Sequence, residues 1–252
     1  PGADRRGGVS KGSGSQMSLT PEDCEAINRE CPAVAVAVPV VNANGKQAIF
    51  SGTNYQPSRI QGSAPEFFQI RNWTIAEGRF FNQREVNRRA RVCVVGSTIV
   101  RELFKGISPI DCEIRIANTA FKVVGVLQTK GANMVGMDED DVIVLPWTTA
   151  RLRLTGLKTG TATSTTSTAA TSPSALYPGE GVALYPAPVD TMADDTLLVP
   201  KFIHIDQILL TAVSPDKVNE AISEVTALLR ERHRLKANQD DDFHIRNSAE
   251  FM

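Results

Sequence analysis

Apolar positions along this chain change period several times, and each change marks an element. AVAVAVPVV (33–41) is apolar at almost every position and predicts a strand buried on both faces, with alanines keeping one face thin. Asn42–Gly45 reads as a turn, and KQAIFSG (46–52) as the hairpin partner of that strand. SRIQGS (58–63) predicts another strand, and PEFFQIRN (65–72) a short helix carrying Phe67, Phe68 and Ile70. RVCVVGSTIVRELF (91–104) predicts a strand, a turn at Gly96 and an amphipathic helix. EIRIAN (113–118) and AFKVVGVLQ (120–128) form a hairpin pattern around Asn118 and Thr119, VIVLP (142–146) is a strand, and TTARLRLTG (148–156) a short helix or turn.

Helix signals frame both ends. In LTPEDCEAINRE, Thr20 is placed as N-cap, Pro21 as the first helical residue, and Glu22 and Asp23 lie in the first turn, at the positive end of the dipole. Pro32 stops the helix. Towards the other end, HIDQILLTA (204–212) predicts a strand, and Ser214-Pro215 opens a helix to about His233. That helix carries Val218, Ala221, Ile222, Val225, Leu228 and Leu229 on one face. DDFHIRN (241–247) predicts a returning strand, so the period switches from two to 3.6 and back in a β-α-β unit.

Two stretches lack any such pattern. Residues 1–18 are rich in Gly and Ser and predict a flexible lead-in. Composition shifts again at 157–200, where TGTATSTTSTAATSPS is nearly all Thr, Ser and Ala; a mobile insertion is expected. The alternative is an ordered flap packed through Leu176, Tyr177, Leu184 and Tyr185. The chain is long enough, at 252 residues, for one large domain or two modest ones. A net charge of −1 argues against a general nucleic-acid binder. Arg84, Arg88, Arg89 and Arg91 cluster, and read as a solvated helix face rather than an anion site. No apolar run approaches the ~18 residues a membrane span needs, and the opening at Pro1 and stop at Met252 read as the ends of a fragment.

Catalytic patterns are missing where they would be sought. VCVVGSTI opens like a dinucleotide site, but G-x-G-x-x-G needs three glycines and only Gly96 stands here, so it reads as a turn residue. GxxxxGK[ST] and G-x-S-x-G are absent. His204, His233 and His244 lack zinc spacing; the first and last are placed in strands, and His233 at a helix C-terminus, where a cation is favoured. MDEDD (137–141) and Asp240–Asp242 lack the alternating order of a calcium loop and read as solvated turns. Cys24 and Cys31 lie roughly 10 Å apart along a helix, too far for a disulfide unless the helix ends early; with Cys93 and Cys112 they read as buried free thiols. No catalytic, cofactor or metal residue is assigned, and no contact residue for a partner.

The order of segments carries a resemblance. LTPEDCEAI, IRNWTIAEGRFF, RVCVVGSTIVRELF, IRIANTAFKVVGVLQTKG, DDVIVLPWTTA and VTALLRERH…DDFHIRN resemble the MacB-type periplasmic core domain of ABC transporter permeases, the MacB/FtsX/LolCE group, over residues 19–155 and 203–250. The resemblance implies an α+β fold in two parts. One is a porter-like β-α-β subdomain built from both chain ends, 19–81 and 203–252. The other is an inserted mixed α/β subdomain of the kind called Sabre, 82–202, into which the Thr/Ser-rich insertion falls. It also implies a non-catalytic domain between the first and second transmembrane helices of its parent, on the periplasmic side of the bacterial inner membrane. ATP would be used elsewhere in that parent, and this domain would pass on motion to export. Implied partners are a periplasmic adaptor of MacA type and a second permease copy, with the isolated domain a monomer. A signalling permease of the FtsX kind, or a lipoprotein-release permease, is the alternative within the group.

Overall fold

The computed structural model describes residues 18–132, 136, 138–155, 204–236 and 238–247, together with a short antiparallel ladder between β1 (Arg5–Arg6) and β2 (Val9–Ser10). The expected insertion at 157–200, and all but that ladder and Ser18 of the expected lead-in, lie outside the described residues. Helix α1 (Pro21–Glu30) starts as expected. Thr20 caps it, its Oγ1 accepting from Asp23 N at 3.3 Å, while Asp23 returns a carboxylate to Thr20 N at 2.9 Å.

Strand β3 (Val34–Asn42) follows, then β4 (Ala48–Phe50), β5 (Thr53–Tyr55), β6 (Arg59–Ser63), helix α2 (Phe67–Ile70), strand β7 (Ile75–Gly78) and helix α3 (Gln83–Asn87). Next come β8 (Val92–Val95), α4 (Ser97–Ile99) continued by a π-helical turn over Val100–Phe104, β9 (Glu113–Ile116), β10 (Thr119–Leu127) and β11 (Val142–Pro146). Helix α5 (Trp147–Thr149) also runs on as a π-helical turn, Ala150–Leu154. After the gap stand β12 (Gln207–Ala212), a 3₁₀ turn (Pro215–Lys217) and α6 (Val218–Arg232).

Ten strands make one mixed sheet in the order β12-β3-β6-β11-β8-β10-β9-β4-β5, with β7 on β10 beside that path. The β6–β11 and β8–β10 pairs are parallel and the rest antiparallel. Alternating side chains feed two cores, one on each face. Cys93, Val95, Phe121, Val123, Ile143 and Leu145 join a core with Ile27 of α1, Ile99 and Phe104, and Val225 and Leu229 of α6. Their sequence neighbours Val94, Val124, Val142 and Val144 join the other, with Phe67, Phe68, Trp73, Phe81 and Val86. This is a mixed α/β fold with a central sheet and flanking helices.

Three expectations need correction. KQAIFSG does not pair with 33–41: β4 pairs with β5 and with Arg115–Ile116 of β9, while β3 spends its edges on β12 and β6. DDFHIRN forms no strand. Asp241 and Asp242 are drawn instead to Arg230 and His233, and Phe243 is buried in the core beneath α6, so the expected β-α-β return is not made. His204 and His244 accordingly stand outside strands.

β3 is the strand that changes partner. Val34–Val40 pair with β12, whereas only Val41 and Asn42 pair with β6. At the switch Asp206, one residue before β12, gives its backbone N–H to Val40 O at 3.1 Å and accepts Asn42 N on its carboxylate at 2.7 Å. The Asp206 and Asn42 amides are thereby satisfied where one ladder ends and the next begins.

The second core rests on an aromatic cluster: the Phe68 ring stacks on Phe80 at 4.2 Å and meets Phe81 edge-on at 5.3 Å. Phe68→Ala removes that centre and lowers unfolding stability by about 3–5 kcal/mol, read as a reduced urea midpoint with unchanged m-value.

Candidate functional site

Gly96 is the first position to test as a nucleotide turn. Its N–H is spent on Val142 O at 2.9 Å. A Cβ at this position would lie 2.0 Å from Asp140 O, so the glycine is required by close approach of the 138–141 loop and not by a ligand. What covers the start of α4 is acidic: Thr98 Oγ1 donates to Asp138 Oδ2 at 2.7 Å. Carboxylate and carbonyl oxygens here would repel a phosphate. The expectation of a turn residue agrees with this geometry.

The acidic loop is likewise occupied by its own backbone. Asp140 accepts from Lys130 N at 2.8 Å and Gly131 N at 2.9 Å, and Asp141 accepts from Ser58 N at 2.9 Å as well as from Ser58 Oγ. The Thr98 hydrogen bond, chief among several, holds the Asp138 carboxyl below its usual range against the opposing effect of burial. These carboxylates pin the loop rather than await an ion, and among the described residues no group of three or more His, Cys, Asp and Glu is placed to hold a metal. Cys24, Cys31, Cys93 and Cys112 are free thiols, the first three buried; burial pushes Cys24 up to about 12, far from a reactive thiolate. Arg84, Arg88, Arg89 and Arg91 are exposed.

A network of charged side chains around one buried carboxylate lies elsewhere, where residues 18–23 meet residues 232–242. Asp23, 3% exposed, accepts from Arg232 Nε at 2.7 Å on Oδ1. Its Oδ2 lies 3.3 Å from His233 Nε2 and accepts from Thr20 Oγ1 at 2.8 Å. The opposite ring nitrogen of His233, Nδ1, stands 2.8 Å from Asp242 Oδ1. Ser18 Oγ donates to Asp242 O at 3.1 Å, and Ile205 N to Leu19 O at 3.0 Å. Residues 209 apart in sequence are thus joined by a charge-assisted bond.

Helix geometry places these groups. Asp23 sits in the first turn of α1 and Arg232 in the last turn of α6, each at the dipole end that favours its charge. The helices run in opposite directions, because the other end of α1 meets mid-α6: Ala33 N donates to Glu224 Oε2 at 3.1 Å. The sequence marks Asp23 and His233 as complementing the dipoles of their own helices; it marks neither Arg232 nor the meeting of the two helix ends. Burial alone would raise the Asp23 carboxyl, but hydrogen bonds from Arg232, Thr20 and His233 outweigh it and hold the group below its usual range. Such an array transfers no group to a substrate. It fastens.

The sign of the linkage follows from that lowered value. The junction contributes in full above the ordinary carboxylate range, about pH 4, and is lost as pH falls through the lower folded-state value. Asp23→Asn is expected to cost about 3 kcal/mol at neutral pH, because it leaves Arg232 partly buried without its anion. It also flattens the acid limb of stability against pH, which urea titrations between neutrality and pH 3 would record.

The family model described as "MacB-like periplasmic core domain" matches residues 2–228. The chain is 46% identical over 258 residues to the macrolide export ATP-binding/permease protein MacB of Syntrophobacter fumaroxidans, covering 99% of this chain and 36% of that protein. It is 33% identical to the MacB of Rhodopirellula baltica, covering 91% of this chain and 31% of the relative. The chain therefore spans about a third of the length of these curated relatives. Among solved structures, the periplasmic region of MacB from Actinobacillus actinomycetemcomitans superposes with a TM-score of 0.64 at 15% identity, covering 95% of this chain and 83% of that one. The extracellular domain of the transporter YknZ from Gram-positive bacteria gives 0.59 at 14% identity, with 88% of each chain covered. Both support the fold. Among the described residues no helix is long and apolar enough to cross a membrane.

Proposed function

The chain belongs to the MacB-like periplasmic core domain family, the non-catalytic periplasmic part of a MacB-type ABC transporter permease, and from that premise we propose that it passes motion between membrane helices and partner proteins. The observation that carries this reading is the charged junction at Asp23. Segments 18–23 and 232–242 meet there, Ser18 against Asp242, tied by Arg232 and His233. Displacement entering through either end would reach α1 and α6 together. From those helices it would reach β3 and β12 through Ile27, Val225 and Leu229, and the rest of the sheet through the β3–β6 step.

The finer division into porter-like and Sabre-like parts belongs to this proposal. What supports the porter-like part is the pairing of β3 with β12 and the packing of α1 and α6 on them. The sheet is continuous across the dividing line expected at Phe81: β4, β6 and β7 bond to β9, β11 and β10. We place the mechanical joint at the β3–β6 step, where two strand residue pairs, the bond from Ala43 N to Ile60 O and side-chain bonds of Asn42, Asn44 and Ser63 connect the sub-sheets. Partners in the parent protein would be a periplasmic adaptor and a second permease copy, and its task export, following the names of the relatives.

Full-length parent carrying Asp23→Asn should keep ATP hydrolysis while export falls several-fold. Phe68→Ala, which weakens the domain away from the junction, supplies the comparison. Uncoupling by the first variant and not by the second supports the reading; equal export in both variants and the parent protein contradicts it.

A further inference from the structure

Three cations converge at a point that the transmission mechanism does not use. A cleft of about 270 Å³ opens where the start of β6, the end of α2 and the segment after β10 come together, lined by Arg59, Arg71, Lys130 and Glu139 with Asn72 and Trp73. Each cation is held by an uncharged group. Arg59 Nη2 donates to Asp138 O at 3.0 Å, Lys130 Nζ donates to Arg71 O at 2.7 Å, and the Arg71 guanidinium lies over the Phe67 ring, 5.9 Å from its centroid.

Among the described residues none of the three forms an ion pair with a carboxylate within 4.0 Å. Carbonyls and a ring orient a cation without neutralising it. Among the residues lining the cleft, three cations stand against the single carboxylate of Glu139, an excess of two positive charges; the Asp138 carboxylate also acts on Arg59 but is not part of the lining. Burial, and then the facing Arg59, both push Arg71 down, as expected of like charges held together.

We infer that this cleft binds a divalent oxyanion of the phosphate type. Charge sets the class: the residues lining the cleft carry two positive charges in excess, which match a dianion. Geometry agrees, since two guanidinium forks and an ammonium supply the donors that tetrahedral oxyanions accept. The acidic 138–141 loop stands beside the cleft, and of its carboxylates only that of Glu139 belongs to the lining.

The test is titration of the chain with inorganic phosphate at constant ionic strength, chloride replacing it in the reference, followed by calorimetry and by melting temperature. Saturable binding is expected. Arg71→Gln and Lys130→Gln should each weaken it about tenfold, the loss of one charge-assisted bond. Arg84→Gln, equal in charge change but on the exposed arginine cluster, should leave it unchanged. Lys130→Gln touches only a surface carbonyl and keeps the test open if Arg71→Gln does not fold. A second arm uses phosphatidylcholine vesicles with and without phosphatidic acid. Vesicle binding with the same dependence on Lys130 assigns the phosphate to a lipid headgroup; binding of free phosphate alone assigns a soluble ligand. A phosphate response no larger than that of chloride, or one weakened equally by Arg84→Gln, overturns the inference.

Discussion

A buried carboxylate shared by an arginine, a histidine and a helix cap is the constraint on which this fold depends. Asp23 must be ionised to hold Arg232, and it must be buried because α1 packs on α6 over the core built around Ile27, Val225 and Leu229. Desolvating a carboxylate is costly unless every lone pair is used. Here Thr20 contributes two bonds, Arg232 one, and His233 a further contact. The arrangement adds little that an apolar contact could not supply in stability alone. What it adds is specificity: the bonds to Asp23 favour this register of α1 against α6, in which Ser18 meets Asp242.

From that junction the sheet extends as a single body with a narrow step. β3 is apolar on both faces because it lies between two cores, with Ala37 and Val41 facing one and Val38 and Val40 the other. It leaves β12 for β6 within two residues, and Asp206 supplies the acceptor that neither neighbouring strand provides. The proposed passage of motion would use this step as its joint, and it calls for no pocket at Gly96.

How far the sequence foretold this depends on the range of the interaction. β10, β11 and α6 were legible because their patterns are local: period two in AFKVVGVLQ, an unbroken apolar run in VIVLP, and period 3.6 in α6. The partner of β3 was not, since nothing near 33–41 encodes a pairing with residues beyond 206. DDFHIRN imitates a strand through Phe243 and Ile245, yet Arg230 and His233 claim its two aspartates first. Asp23 was legible as a charge complementing the start of α1 and His233 as one suited to the end of α6, whereas Arg232 was not singled out. An acid in the first turn of one helix and a base in the last turn of another, on helices that share a core, was the available signal, and it required knowing that they pack. The basic cleft is assembled from Arg59, Arg71 and Lys130, far apart in sequence and each unremarkable in its own segment. Family resemblance supplied what local pattern could not, because it carries the order of segments as a whole.

Native-state hydrogen exchange on α1 and α6 tests the central claim most directly. If the Asp23 junction makes the chain ends one body, amides of Cys24–Cys31 and of Val225–His233 open with the same free energy, and Asp23→Asn lowers both by the same amount. Loss of protection in one helix while the other keeps its full value would mean that the ends move separately, and the account of transmitted motion would fail.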